Sequence, residues 1–110
     1  GAVRLLFSDG RSGFVYPFRY MIFTEESASP SVEVLFSVPK RYHKRANKRN
    51  LLRRRTKEAY RLNKEVVTAV ATERGKALDM ALVYSVKECV PYKTIENAVR
   101  KILQEVGATL

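Results

Sequence analysis

Arg49, Arg53, Lys57 and Arg61 follow one another at intervals of four residues, with Asn50, Arg54 and Lys64 beside them. On a helix this spacing stacks the side chains into one stripe, with a cation about every 6 Å at a rise of 1.5 Å per residue. Such a row suits successive phosphates of an RNA or DNA strand. Arginine outnumbers lysine in it, and the planar guanidinium fork favours bidentate phosphate contact and stacking on bases. Residues 40–64 carry twelve of the chain's 21 Lys and Arg, and Glu58 is the only acid among them. Like charges four residues apart destabilise a helix, so its apolar face must be held by a core or its charge by a polyanion.

The residues for catalysis are missing. A protein nuclease gathers several carboxylates around metal ions, whereas the eleven acids here are scattered. Glu25 and Glu26 fall in a polar turn, Glu58 sits within the basic run, and the acids read as surface salt partners. His43 is the only histidine. It has no evident Ser, Cys or acid partner and reads as a loop residue supporting RNA contact. No Cys/His spacing suggests zinc, and no glycine-rich loop cradles a phosphate. Cys89 stands alone, which excludes an internal disulfide, fits a reducing cytoplasm and reads as a small buried hydrophobe. By its own residues the chain is a binder.

The net charge of +10 and pI near 10.1 demand an acidic partner, while 45% hydrophobic and 29% charged residues are ordinary for a folded protein. Nucleic acid, an anionic membrane surface and an acidic protein all meet that demand, and the phosphate-spaced stripe favours nucleic acid. No apolar run is long enough to span a membrane, and no signal peptide is evident. The expectation is a soluble cytoplasmic protein whose 110 residues make a single RNA-binding domain around one core.

Elements must position the stripe. Residues 1–7 read as the tail of a helix ending at Ser8, Asp9 and Gly10, its start lying before Gly1. Residues 14–24, FVYPFRYMIFT, read as one strand covered on both faces with Pro17 near its beginning. Residues 32–38 give a second strand pairing with it as a hairpin. One long helix is expected over residues 44–73, with Leu52, Thr56, Ala59, Asn63, Val66 and Val70 forming the face that packs on the sheet. Arg74, Gly75 and Lys76 turn the chain into a buried strand over residues 78–86, parallel to a neighbour. A last helix over residues 92–106 has Ile95, Val99, Ile102 and Val106 on one face. Of the aromatics Phe7, Phe14, Tyr16, Phe18 and Tyr20, most belong to the core, and one or two exposed beside basic residues would stack unpaired bases.

The order of elements and residues 44–61, KRANKRNLLRRRTKEAYR, resemble the protein subunit of bacterial ribonuclease P. Ser37, Val38, Pro39 and Lys40 are similar to the family's strand end leading into its basic helix, and residues 79–87 to its last strand with the basic residue that follows. The resemblance implies an α+β fold, an α/β sandwich of a four-stranded sheet and about three helices. It also implies a left-handed βαβ crossover through the basic helix, as in domain 2 of certain ribosomal proteins, against the general right-handed rule. It implies a ribonucleoprotein whose RNA subunit performs Mg²⁺-dependent hydrolysis of precursor tRNA, the metal held mainly through RNA, while the protein binds the catalytic RNA and the 5′ leader.

Carried over by position, Arg45, Lys48, Arg49, Asn50, Arg53, Arg54, Lys57 and Arg61 are similar to the residues that bind the catalytic RNA. Phe7, Phe18, Tyr20, Lys40, Arg41, Arg45 and Lys87 are similar to those of the leader cleft. Two positions depart from the family pattern. Leu51 replaces the second arginine of an Arg-Asn-Arg triplet, leaving that contact absent or shifted to a neighbour such as Arg55, and Val3 stands where an aromatic is common. The competing reading is a ribosomal or other structural RNA-binding protein with no role in cleavage.

Overall fold

The computed structural model describes residues 11–110; the expectations for residues 1–10, Phe7 and Val3 included, lie outside them. Four strands, β1 (Arg11–Val15), β2 (Phe18–Glu26), β3 (Ser31–Ser37) and β4 (Lys76–Tyr84), form one mixed sheet in the order β1-β2-β4-β3. Among the described residues three helices accompany it: α1 (Ala46–Asn63), α2 (Glu65–Arg74) and α3 (Tyr92–Thr109).

The expected first strand is in fact two. The chain turns at Tyr16 and Pro17, and β1 folds back antiparallel on β2 with Val15 opposite Phe18. Proline has no N–H to give a ladder, so the strand pauses there. The expected hairpin between the strands now labelled β2 and β3 is also corrected, because β4 lies between them, antiparallel to β2 and parallel to β3. A strand entering the middle of a sheet must be apolar on both sides. β4 meets this with Leu78, Met80, Leu82 and Tyr84 buried on one side and Ala81 on the other.

The helices pack on the sheet face bearing Phe18, Ile22, Leu78, Met80, Leu82 and Tyr84, which join Ile95, Val99, Ile102, Leu103 and Val106 of α3 in one cluster. The single long basic helix is corrected too: it breaks at Lys64 into α1 and α2. The Asn63 side-chain amide donates to the carbonyl of Ala59 at 2.8 Å, competing for the acceptor on which the next turn of α1 would build. Leu52, Thr56 and Ala59 are buried as expected, but against α3 and the β3 edge rather than the middle of the sheet, with Phe36 edge-on to Tyr60. α2 anchors to β3 and β4 through Val67 and Ala71. It ends at Gly75, whose φ of 64° and N–H bonds back to Ala71 and Thr72 form the left-handed stop that glycine adopts without strain. None of the described helices is long and apolar enough to cross a membrane.

Candidate RNA-binding surfaces

Because β3 and β4 are parallel, the segments that leave them emerge at the same end of the sheet. The first is residues 38–45, with exposed Lys40, Arg41, Lys44 and Arg45; the second is residues 85–91, with exposed Lys87. His43 fastens one to the other. It is 6% exposed, donates through Nε2 to the Val86 carbonyl at 3.0 Å, and lies edge-on to the Tyr84 ring at 5.3 Å. The Tyr84 hydroxyl donates to the Glu88 carbonyl and accepts from the Val90 N–H at 3.1 Å, fixing the second segment again. Burial holds the Tyr84 phenol above its ordinary pKa, and it stays neutral. His43 is therefore a buried brace for the cations, not an exposed RNA contact.

α1 begins at this same end. Arg45 stands at its N-cap without a side-chain cap, while Asn47 Oδ1 accepts from the Lys48 N–H at 2.9 Å; the first turn contains no acid, so the positive end of the helix dipole adds to the basic residues. Arg49 ties the entrance down, donating through Nη1 to the carbonyls of His43 at 3.1 Å and Lys44 at 2.7 Å. Farther along, Lys48, Asn50, Arg54 and Lys57 are exposed, and Arg53 reaches Asn50 Oδ1 at 3.2 Å.

Two cations of α1 have partners that spacing alone does not reveal. Arg61 makes two bonds to Glu58, the lone acid of the run, and the first cause of the Glu58 carboxyl's lowered pKa is that hydrogen bonding. Arg55 donates to the Val90 carbonyl at 3.3 Å, which draws it towards the entrance of α3 and away from the role of a substitute for the arginine replaced by Leu51.

One aromatic expectation is corrected. Phe18 is 1% exposed and packs edge-on to Tyr84 at 5.6 Å, so it lies in the core and offers no face to a base. Tyr20 lies on the helix-covered side, its ring across Gly13, where an added Cβ would come within 2.6 Å of the ring. Among the described residues the exposed aromatics are Phe14 at 55% and Tyr16 at 46%. Phe14 pairs with Arg19 on the sheet face opposite the helix-covered side, where Leu35 is also exposed. Tyr16 lies at the basic end, next to Pro17, whose carbonyl accepts from the Ser85 N–H at 3.0 Å. Phe14 and Tyr16 were among the aromatics visible in the sequence; alternation could not say which side the helices cover. Cys89, expected inside, is exposed.

Among the described residues no three His, Cys, Asp or Glu side chains gather as metal ligands.

Residues 4–107 match the family described as Ribonuclease P. A ribonuclease P protein component from Porphyromonas gingivalis (strain ATCC 33277) is 34% identical, covering 98% of this chain and 80% of the relative. The chain belongs to the ribonuclease P protein family. The fold agrees: the RNase P protein from Thermotoga maritima aligns with a TM-score of 0.69 at 19% identity, over 94% of this chain and 89% of that one. The Staphylococcus aureus RNase P protein gives 0.67 at 16% identity, over 94% and 87%. Membership makes this chain an RNA-binding subunit of the tRNA-processing endoribonuclease, working with ribonuclease P RNA.

Proposed function

We propose that α1 docks the protein on the catalytic RNA while the basic end of the sheet receives the 5′ leader of precursor tRNA. Lys48, Asn50, Arg53, Arg54 and Lys57 make the RNA contacts, with Arg49 dividing its guanidinium between the loop and phosphate and Arg61 contributing less because Glu58 offsets it. Lys40, Arg41, Arg45 and Lys87 attract leader phosphates, and Tyr16 takes the stacking role first given to Phe18. Hydrolysis belongs to the RNA, with Mg²⁺ held through RNA; the protein lowers the electrostatic cost of bringing two polyanions together. The assembly works in the cytoplasm, a reducing compartment in keeping with the free, exposed thiol of Cys89.

One observation carries this reading: the parallel β3–β4 pair and the His43–Val86 bond bring two separate cationic segments to the uncapped start of α1. The test is reconstitution with a bacterial ribonuclease P RNA at low Mg²⁺. The protein should restore precursor-tRNA cleavage, and more so for substrates with a leader of several nucleotides than for those with one. Equal stimulation whatever the leader length would remove the leader from the assignment.

A further inference from the structure

Residues 85–91 bring the exposed Lys87 to the basic end of the sheet, and three of their backbone positions are pinned. The Val86 carbonyl accepts from His43 Nε2, the Glu88 carbonyl accepts from the Tyr84 hydroxyl, and the Val90 N–H donates to that same hydroxyl at 3.1 Å. These partners belong to β4 or to the segment leaving β3. One further bond comes from α1. Arg55 donates through Nη1 to the Val90 carbonyl at 3.3 Å, so Val90 is held through both of its backbone groups. Among the described residues this is the only hydrogen bond between α1 and residues 85–91.

Arg55 differs from the cations around it. Arg54 and Lys57 are exposed, whereas Arg55 is half-buried on the side of α1 that faces the start of α3. Leu51 lies one turn earlier on the same side. A leucine there gives the Arg55 methylenes an apolar neighbour, while an arginine would set two like charges four residues apart and push the guanidinium outward. The departure from the family pattern at Leu51 thus goes with an arginine turned inward. Arg49 makes the matching attachment to the first cationic segment, through the carbonyls of His43 and Lys44. The docking helix therefore grips both segments, each through one arginine.

We propose that Arg55 is a positioning residue for the 5′ leader: its bond to the Val90 carbonyl fixes residues 85–91 to α1 and holds Lys87 where a leader phosphate passes. The donor is a guanidinium, and a charge-assisted bond of this kind is stronger than a neutral one. The inference rests on the leader-binding role given to the basic end of the sheet. It assigns Arg55 to the substrate rather than to the catalytic RNA that its neighbours on α1 dock.

The test uses the holoenzyme reconstituted with a bacterial ribonuclease P RNA at saturating protein, and precursor tRNAs with leaders of one and of several nucleotides. The proteins compared are the unmodified chain, Arg55→Ala, Lys87→Ala and the double variant. Arg55→Ala should cut the KM advantage of the longer leader roughly threefold to tenfold, as loss of one hydrogen bond to a charged group does. In the Lys87→Ala background the same change should cost little more, because a positioning residue acts through the residue it places. Binding of Arg55→Ala to the RNA subunit alone should keep the salt slope of the unmodified protein, since no phosphate contact is lost. Additive losses in the double variant, or a slope lower by about one, would make Arg55 a direct contact and overturn the proposal. A loss that falls equally on both leaders overturns it too, reducing the bond to a support of the fold. If Lys87→Ala removes the leader advantage and Arg55→Ala does not, the positioning role falls and the leader reading stands. If Lys87→Ala leaves the advantage intact, both fall.

Discussion

The imidazole of His43 and the carbonyl of Val86 are 43 residues apart in sequence and 3.0 Å apart in space. That bond joins the loop leaving β3 to the loop leaving β4, so the positions of Lys40, Arg41 and Arg45 depend on a buried contact. His43→Ala would leave the Val86 carbonyl without its partner. It should destabilise the protein by about 1–3 kcal/mol in urea denaturation. At temperatures where the variant is folded it should weaken binding of leader-bearing precursor tRNA more than binding of the RNA subunit. Equal losses for both would assign His43 to stability alone.

Arg53 projects from the middle of α1, and its only polar partner among the described residues is Asn50. Arg53→Ala should weaken binding to the RNA subunit by about 1–3 kcal/mol and lower the salt slope by about one, as loss of one phosphate contact requires. Filter binding between low and moderate salt measures both.

Phe18→Ala removes a ring packed in the core and should cost about 3–5 kcal/mol of stability. Tyr16→Ala changes an exposed residue; the melting temperature should stay within a few degrees while leader affinity falls. Thermal melting and precursor-tRNA binding, run on both variants, would show the two effects on opposite proteins.

Burial pushes the Tyr60 phenol above its ordinary value of 10.0. The folded state thus keeps that proton to a higher pH than the unfolded chain does, so the contribution is complete below pH 10 and declines as pH rises through the folded pKa. Unfolding free energy measured between pH 8 and 11 should fall at the alkaline end, and Tyr60→Phe should flatten that fall. An identical decline in the variant would exclude Tyr60 as a source.

Much of the architecture was legible because it follows from periodicity. Ile95, Val99, Ile102 and Val106 announced the buried face of α3, and residues 78–86 announced a strand with apolar sides. The stripe on α1 was equally plain. The rest depended on contacts between distant segments. Residues 14–24 are apolar at odd and even positions alike, so alternation could not reveal which face the helices take or that Phe18 lies in the core. Neither the Arg61–Glu58 bonds nor the pull of Val90 on Arg55 can be read from charge spacing, because each is decided by where a flexible guanidinium finds an acceptor. The brace at His43 escaped notice for the same reason: its partner is a backbone carbonyl, which every residue has.

The insertion of β4 between β2 and β3 has a consequence for biosynthesis. On the ribosome, β1 and β2 can close as a hairpin, but β3 has no neighbour in the sheet until residues 76–84 have been made, and the cluster on the helix side is incomplete until α3 follows. The highly cationic α1 meets its main packing partner only when α3 is in place. The charge of the binding surface thus precedes in the chain the residues, β4 and α3, that give the surface its fixed geometry.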